Sequence, residues 1–173
     1  TADQSNENDA AIQLQGATDC IVSNCRFEHV NGWAVRLSER SARNLIECCT
    51  MHNLGQGGVN LAGDNLTQPI DNRIIGNHIK ECGRVFAHVA GVSCAASSRN
   101  LVAHNRIQQM PRYGISISNG NTARSHQNII EYNDINRTNL ETSDTGAIMI
   151  YGGETVLTGN VIRYNRITDS IGL

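Results

Sequence analysis

Lysine is nearly absent from this chain: Lys80 is the only one in 173 residues. With 14 basic against 16 acidic side chains and a formal charge of -2, there is no basic excess to meet a phosphate backbone. Nucleic acid is therefore not expected as a partner. Aromatic residues amount to only 4%. No apolar run approaches the roughly 18 residues of a membrane span, so no membrane partner is expected. The opening Thr1-Ala2-Asp3-Gln4-Ser5-Asn6 is polar and is no signal peptide. An initial methionine is also missing, which is expected of a chain processed or excised from a longer one. The six cysteines, Cys20, Cys25, Cys48, Cys49, Cys82 and Cys94, lack zinc-like spacing. Asp144, Glu141 and Glu154 are too few and scattered for a calcium cluster. Neither a metal nor a cofactor is expected.

What the chain does contain is a repeat. Asn128-Ile129-Ile130-Glu131-Tyr132-Asn133-Asp134-Ile135 returns as Asn160-Val161-Ile162-Arg163-Tyr164-Asn165-Arg166-Ile167. The phrase extends to columns through the sequence. One polar column reads Cys20, Asn44, Asn72, Asn100, Asn128, Asn160, with steps of 24, 28, 28, 28 and 32 residues. Two positions on come Val22, Ile46, Ile74, Val102, Ile130 and Ile162. A second polar column holds Cys25, Cys49, Asn77, Asn105, Asn133 and Asn165. It is followed by Phe27, Met51, Ile79, Ile107, Ile135 and Ile167. Before each phrase runs a further strand with inward columns Ile12, Val35, Val59, Val92, Ile115, Ile148, Ile171 and Leu14, Leu37, Leu61, Cys94, Ile117, Ile150, Leu173.

Alternation with period two marks half-buried strands. Strands this short cannot bury their apolar side alone, so successive turns must stack, each strand on its equivalent. The expected fold is all-β: a right-handed parallel β-helix, a single-stranded solenoid of about six rungs spaced about 4.8 Å apart. The rungs run over 10–30, 33–54, 58–82, 91–110, 114–138 and 147–170, after a polar lead-in over residues 1–9. The repeat domain over 10–173 stops mid-strand at Ile171-Gly172-Leu173 with no cap. It is read as truncated there, either a piece of a larger protein or a stack whose end another chain covers. End-to-end association of copies through that rung is a further expectation. Corner asparagines are expected to hold left-handed backbone angles and to stack as amide ladders. Cys25 and Cys49 share a column on neighbouring rungs. They are read as small buried replacements for asparagine rather than as a bridge.

Long connections cluster on the corners flanking one sheet: Lys80–Ala90 and Asn136–Gly146 before its strands, and Ala62–Asp71, Ser118–Gln127 and Tyr151–Gly159 after them. Insertions on a rigid scaffold line binding faces, so a groove is placed over this sheet, whose outward column includes Ser93, Ser116 and Met149. Asp144 lies just before its strand, and His88, Arg112 and Tyr113 fall in neighbouring corner columns. Tyr151 and Glu154 lie across the strand. Acidic, cationic and aromatic groups along an extended groove suit a polysaccharide or oligosaccharide. Asp144 is the candidate catalytic carboxylate. His88, Arg112, Tyr113, Ser116, Tyr151 and Glu154 are the candidate substrate contacts. Each has a plainer reading: Asp144 as a turn closer, His88 and His126 as loop surface, Arg112, Glu141 and Glu154 as solvated charges. Tyr132 and Tyr164 read as an outer-face stack.

Gly114-Ile115-Ser116-Ile117 with the phrase at 128–135 resembles repeats of the right-handed parallel β-helix, or pectin-lyase-like, superfamily. Asp144-Thr145-Gly146-Ala147-Ile148-Met149-Ile150-Tyr151 is similar to an Asp-Gly-Gly-x-Ile-Tyr segment of β-helix glycoside hydrolases of the fucosidase/xylanase type, with Thr145 in place of glycine. The resemblance implies a secreted or periplasmic, polysaccharide-degrading glycoside hydrolase. Its first catalytic carboxylate maps to Asp144, and its second acid is expected beyond Leu173, so the chain would hold half a site. A lyase or epimerase using a basic residue such as Arg112 beside a uronate is the nearest variant. A structural or sugar-binding β-helix without catalysis is the other.

Overall fold

The computed structural model describes residues 9–64, 66–119, 124–152 and 157–172. These form three parallel sheets of six strands each, and no helix occurs among the described residues. The first sheet runs Ala10–Gln15, Trp33–Ser38, Val59–Ala62, Ala90–Ala95, Tyr113–Ser118 and Ile148–Tyr151. The second begins at Ile21–Ser23 and ends at Val161–Arg163; the third begins at Arg26–Glu28 and ends at Arg166–Thr168. Each strand hydrogen-bonds its equivalent one rung away, so the chain is a parallel β-helix of six rungs. Strands of the second and third sheets have three residues each, too few to stand alone.

The register matches the apolar columns. Val22 pairs with Ile46, Ile46 with Ile74, Ile74 with Val102, and Val102 with Ile130. Phe27, Met51, Ile79, Ile107 and Ile135 form a second file, and Val35, Val59, Val92 and Ile115 a third. Ile46, Ile74, Ile79, Val102, Ile107 and Ile130 are all fully buried. Burial of each such side chain contributes about 1.5–3 kcal/mol. A one-residue slip would turn a whole file to solvent, so the register is strongly specified. The seventh position of the first-sheet column, Ile171, is not in a strand; its N–H donates to Thr138 O at 3.1 Å.

The asparagine ladders form. Asn44, Asn72, Asn100 and Asn128 each donate through Nδ2 to Oδ1 of the next asparagine up, at 2.9–3.1 Å. Asn77, Asn105 and Asn133 do the same at 2.9–3.0 Å. One expectation is corrected. The left-handed angles fall on the residue before each ladder position: Arg43, Asp71, Arg99, Gln127 and Gly159 in one corner, and Cys48 (before Cys49), Gly76, His104, Tyr132 and Tyr164 in the other, with φ of 52–66°. The ladder side chain must point inward to reach its neighbours, so the preceding residue makes the bend and points outward. Those outward residues then stack as well. Arg43 pairs with Asp19 and Arg99 with Asp71, both through Nε and Nη2. His104, Tyr132 and Tyr164 form a ring stack with centroids 5.1 and 5.0 Å apart.

All six cysteines are free thiols. Cys49 takes an asparagine's place: its N–H donates to Asn77 Oδ1 at 3.0 Å, and its thiol to Val22 O at 3.6 Å. Burial pushes the Cys82 and Cys94 thiols up to about 12. A thiol reagent at neutral pH is therefore expected to label exposed Cys48 first and to reach Cys82 and Cys94 only on unfolding. Equal labelling rates for Cys48 and Cys94 in the folded protein would contradict this core.

Candidate functional site

The outward face of the first sheet forms the floor of a groove. Because side chains alternate, its central column is Arg36, Asn60, Ser93, Ser116 and Met149, in register across the rungs. Loops bank its side, and the enclosed volume is about 740 Å³. Trp33 forms part of the wall at 7% exposure. It fits there because residue 57 is glycine: a Cβ on Gly57 would lie 2.0 Å from Ala90 O and 2.3 Å from the Trp33 ring. Lower down, Arg36 Nε donates to Asn60 Oδ1 at 3.3 Å.

Asp144, Arg112, Tyr113 and His88 meet on one wall. Arg112 Nη2 donates to Asp144 Oδ2 at 3.1 Å. The same guanidinium lies over the Tyr113 ring, with Cζ 4.9 Å from the centroid. Tyr113 Oη is 3.5 Å from His88 Nε2. On its other oxygen Asp144 accepts from Thr142 Oγ1 at 2.5 Å. The Thr142 hydroxyl is the main cause that holds the Asp144 carboxyl below the usual aspartate value; desolvation opposes it, and the Arg112 charge adds a smaller lowering effect. Its side chain is 66% exposed, whereas that of Arg112 is 20% exposed. The pair therefore orients a solvent-facing carboxylate more than it stabilises the fold.

The loop that carries Asp144 lies on the corner below it. Asn139 N–H donates to Arg112 O at 2.9 Å, Leu140 N–H to Met110 O at 3.3 Å and Glu141 N–H to Pro111 O at 2.9 Å. Asn139 holds a left-handed φ of 60°, which asparagine tolerates. Its Nδ2 donates both to Thr145 O and to Ser170 Oγ, at 3.2 and 2.9 Å.

Of the residues singled out from sequence, Asp144, His88, Arg112, Tyr113, Ser116 and Tyr151 all line this one cavity. Glu154 lies outside the described residues. Glu141 and His126 do not line the cavity; the His126 peptide oxygen instead accepts from Arg99 N–H at 2.9 Å. Among the described lining residues Asp144 is the only carboxylate. Gln56 and Val89 also line it and were not singled out; they sit in non-repeating connections, where no column signals their direction. Among the described residues, no group of three or more His, Cys, Asp or Glu could hold a metal. No helix among them is long and apolar enough to cross a membrane.

Known structures share this architecture. Residues of this chain superpose on tailspike protein 2 of an Escherichia coli O157:H7 bacteriophage at 17% identity and a TM-score of 0.60, covering 80% of this chain and 18% of that one. The enzymatically active domain of bacteriophage CBA120 tailspike protein 2 gives 16% identity and a TM-score of 0.62, over 90% of this chain and 22% of the other. The A-module of Azotobacter vinelandii mannuronan C-5 epimerase AlgE4 gives 10% identity and a TM-score of 0.60, over 92% and 54% respectively. The chain thus spans about a fifth of the tailspike chains and about half of the epimerase module. At these identities the likeness is one of fold. No curated protein sequence matches the chain. The model of the family described as right handed beta helix region matches residues 10–172, and the chain belongs to that family.

Proposed function

We infer that the groove holds an extended polysaccharide and that the chain acts on it as part of a glycoside hydrolase, with Asp144 as one of two reacting carboxylates. The observation that carries this reading is the convergence of Asp144, Arg112, Tyr113 and His88 on one wall of a groove running along the stacked rungs. Sugars meet such a surface through hydroxyl hydrogen bonds and through aromatic faces. The ionised state of Asp144 suits it to act as nucleophile or base, not as the proton donor. The donor is then a second acid, which the fucosidase/xylanase resemblance puts beyond Leu173. Two of the similar structures, a tailspike's enzymatically active domain and a mannuronan C-5 epimerase module, are enzymes on this fold, which supports an enzymatic role here; an extracellular place of action goes with the glycoside hydrolase resemblance.

A second reading has its own support. The contact between Tyr113 Oη and His88 Nε2, beside the Arg112 guanidinium, suits proton transfer next to a uronate carboxylate, the chemistry of a lyase or epimerase. The products separate the two: new reducing ends with no ring double bond for hydrolysis, a ring double bond or an inverted centre for the other.

Trp33 is the sole tryptophan and lines the groove, so its fluorescence reports occupancy directly. Titration with a panel of neutral and acidic oligosaccharides is expected to shift its emission for at least one class. Ser116→Leu fills the floor from a side chain that points away from the core, and is expected to weaken that binding by about tenfold or more. If no oligosaccharide binds, or if Ser116→Leu binds as the parent does, the groove is not a sugar site. Binding without turnover in a protein that carries this chain together with the rungs expected after Leu173 favours a non-catalytic sugar-binding module.

A further inference from the structure

The floor between the two ends of the groove is nearly bare. Register places Asn60, Ser93 and Ser116 in one outward file and Ala62, Ala95 and Ser118 in the next. Arg36 and Ser38 continue these files below, Met149 and Tyr151 above. The six central side chains are short and uncharged, so an extended guest can lie along them. Arg36 is the exception, the one charged side chain in either file. It lines the groove at its lower end, and its Nε donates to Asn60 Oδ1 at 3.3 Å. Four rung steps separate it from Met149, about 19 Å along the axis. The described residues that line the groove carry two guanidiniums against one carboxylate, in a chain whose formal charge is -2. Arg112 is paired with that carboxylate, Asp144. Among the described residues, the cationic excess of the groove therefore lies at Arg36.

A half-buried cation is costly to hold: desolvation lowers the Arg36 pKa, the direction expected when a positive charge loses water. An anion laid against it offsets part of that cost, because a charge-assisted hydrogen bond is roughly twice as strong as a neutral one. Five N–H donors let a guanidinium hold Asn60 and a guest together, and the bond at Nε sets the plane of the fork. We propose that Arg36, oriented by Asn60, is an anion-binding subsite of the groove. The polysaccharide lying there is then acidic, with a carboxylate or sulfate group on the sugar about four rungs from Asp144. This rests on the reading of the groove as a sugar site and adds to it the charge of the substrate. The separation has a physical use. An anion beside Asp144 would favour its protonation, whereas one held at Arg36 lies beyond the ~10 Å over which salt screens exposed charges.

The test titrates the whole chain, followed by Trp33 fluorescence, with neutral, uronic-acid and sulfated oligosaccharides of equal length. Dissociation constants are compared, so a change in Trp33 emission caused by a substitution itself does not enter. At least one acidic class is expected to bind about tenfold or more tightly than the neutral one, with a margin that shrinks as salt is raised. A margin for either acidic class supports the subsite and names its anion. Arg36→Gln removes the charge and keeps much of the side chain's length. It is expected to bring the acidic ligand to the neutral affinity, while the neutral ligand stays within about twofold of the parent. Arg36→Lys keeps the charge without the fork and is expected to retain part of the margin. Equal binding of neutral and acidic ligands by the parent, or a margin that Arg36→Gln leaves intact, overturns the subsite and leaves the groove a sugar site. So does an equal loss for both kinds of ligand in Arg36→Gln, which assigns Arg36 a structural role only. If the parent binds none of them, the sugar reading and the subsite fall together.

Discussion

Replacing Asn105 with alanine is expected to destabilise the protein by about 3–5 kcal/mol. Its side chain sits at the middle of the second ladder at 1% exposure. The amide oxygen accepts from Asn77 N–H and from Asn77 Nδ2, at 2.9 and 3.0 Å. Its Nδ2 donates to Ile74 O and to Asn133 Oδ1, at 2.9 and 3.0 Å. Alanine leaves the Asn77 N–H and the Ile74 carbonyl without these partners, and each unmet group costs about 1–3 kcal/mol. The void is too enclosed for water to repair it freely, since Ile74 and Ile107 on either side are fully buried. Asn165→Ala is the matched comparison. Asn165 makes the same kind of contacts but is only partly buried, so water replaces them, and a loss below about 1.5 kcal/mol is expected. Asn105→Cys should fall between the two, because Cys49 already occupies this column with its thiol on Val22 O. Equilibrium urea unfolding with matched slopes measures all three. A loss under about 1 kcal/mol for Asn105→Ala would mean that the amide ladder is decoration on a fold held by its apolar files alone.

In a protein that carries this chain together with the rungs expected after Leu173, Asp144→Asn is expected to lower turnover on the order of a thousandfold while leaving oligosaccharide affinity within a few-fold. The replacement keeps shape and still accepts from Arg112 Nη2, so the wall of the groove persists. What it removes is the negative charge proposed to serve as nucleophile or base. The pH profile gives an independent reading. Because the folded-state pKa of Asp144 is depressed, the active carboxylate is fully present above the ordinary aspartate value, and activity falls only as the pH drops through the lower folded value. Thr142→Val removes the largest cause of the depression and is expected to move the acid limb of the profile upward; Arg112→Gln does the same through the lost charge. Parent-level turnover in Asp144→Asn ends the case for Asp144 as a reacting group, and an acid limb unmoved by Thr142→Val shows that some other group titrates.

The two expectations differ in what carries them. The ladder follows from a repeat: once Asn77, Asn105 and Asn133 were seen at a constant step of 28 residues, only a stack could bring them together. The same holds for the files headed by Val22, Phe27 and Ile12, whose pairing follows the columns position for position. The corner geometry was legible only to within one residue. The columns mark a bend near each asparagine, but Arg43, Asp71 and Arg99 take the left-handed angle, because the ladder side chain cannot both turn the chain and point inward.

The composition of the groove was legible where its residues sit on strands or directly before them, as with Ser116, Tyr113 and Asp144. It was not legible where loops fold back. Nothing in the sequence pattern shows that the loop after Thr138 lies on the corner at Pro111 and Arg112, or that Asn139 ties it there. The sequence by itself determined the stack and its register, since a repeat copies the same local choice on every rung and an apolar file leaves only one alignment buried. Tertiary structure alone decided which charge faces Asp144 and which atoms are left inside the wall. Those depend on loops that occur once, where contacts come from chain segments meeting in space and not from a period along the chain.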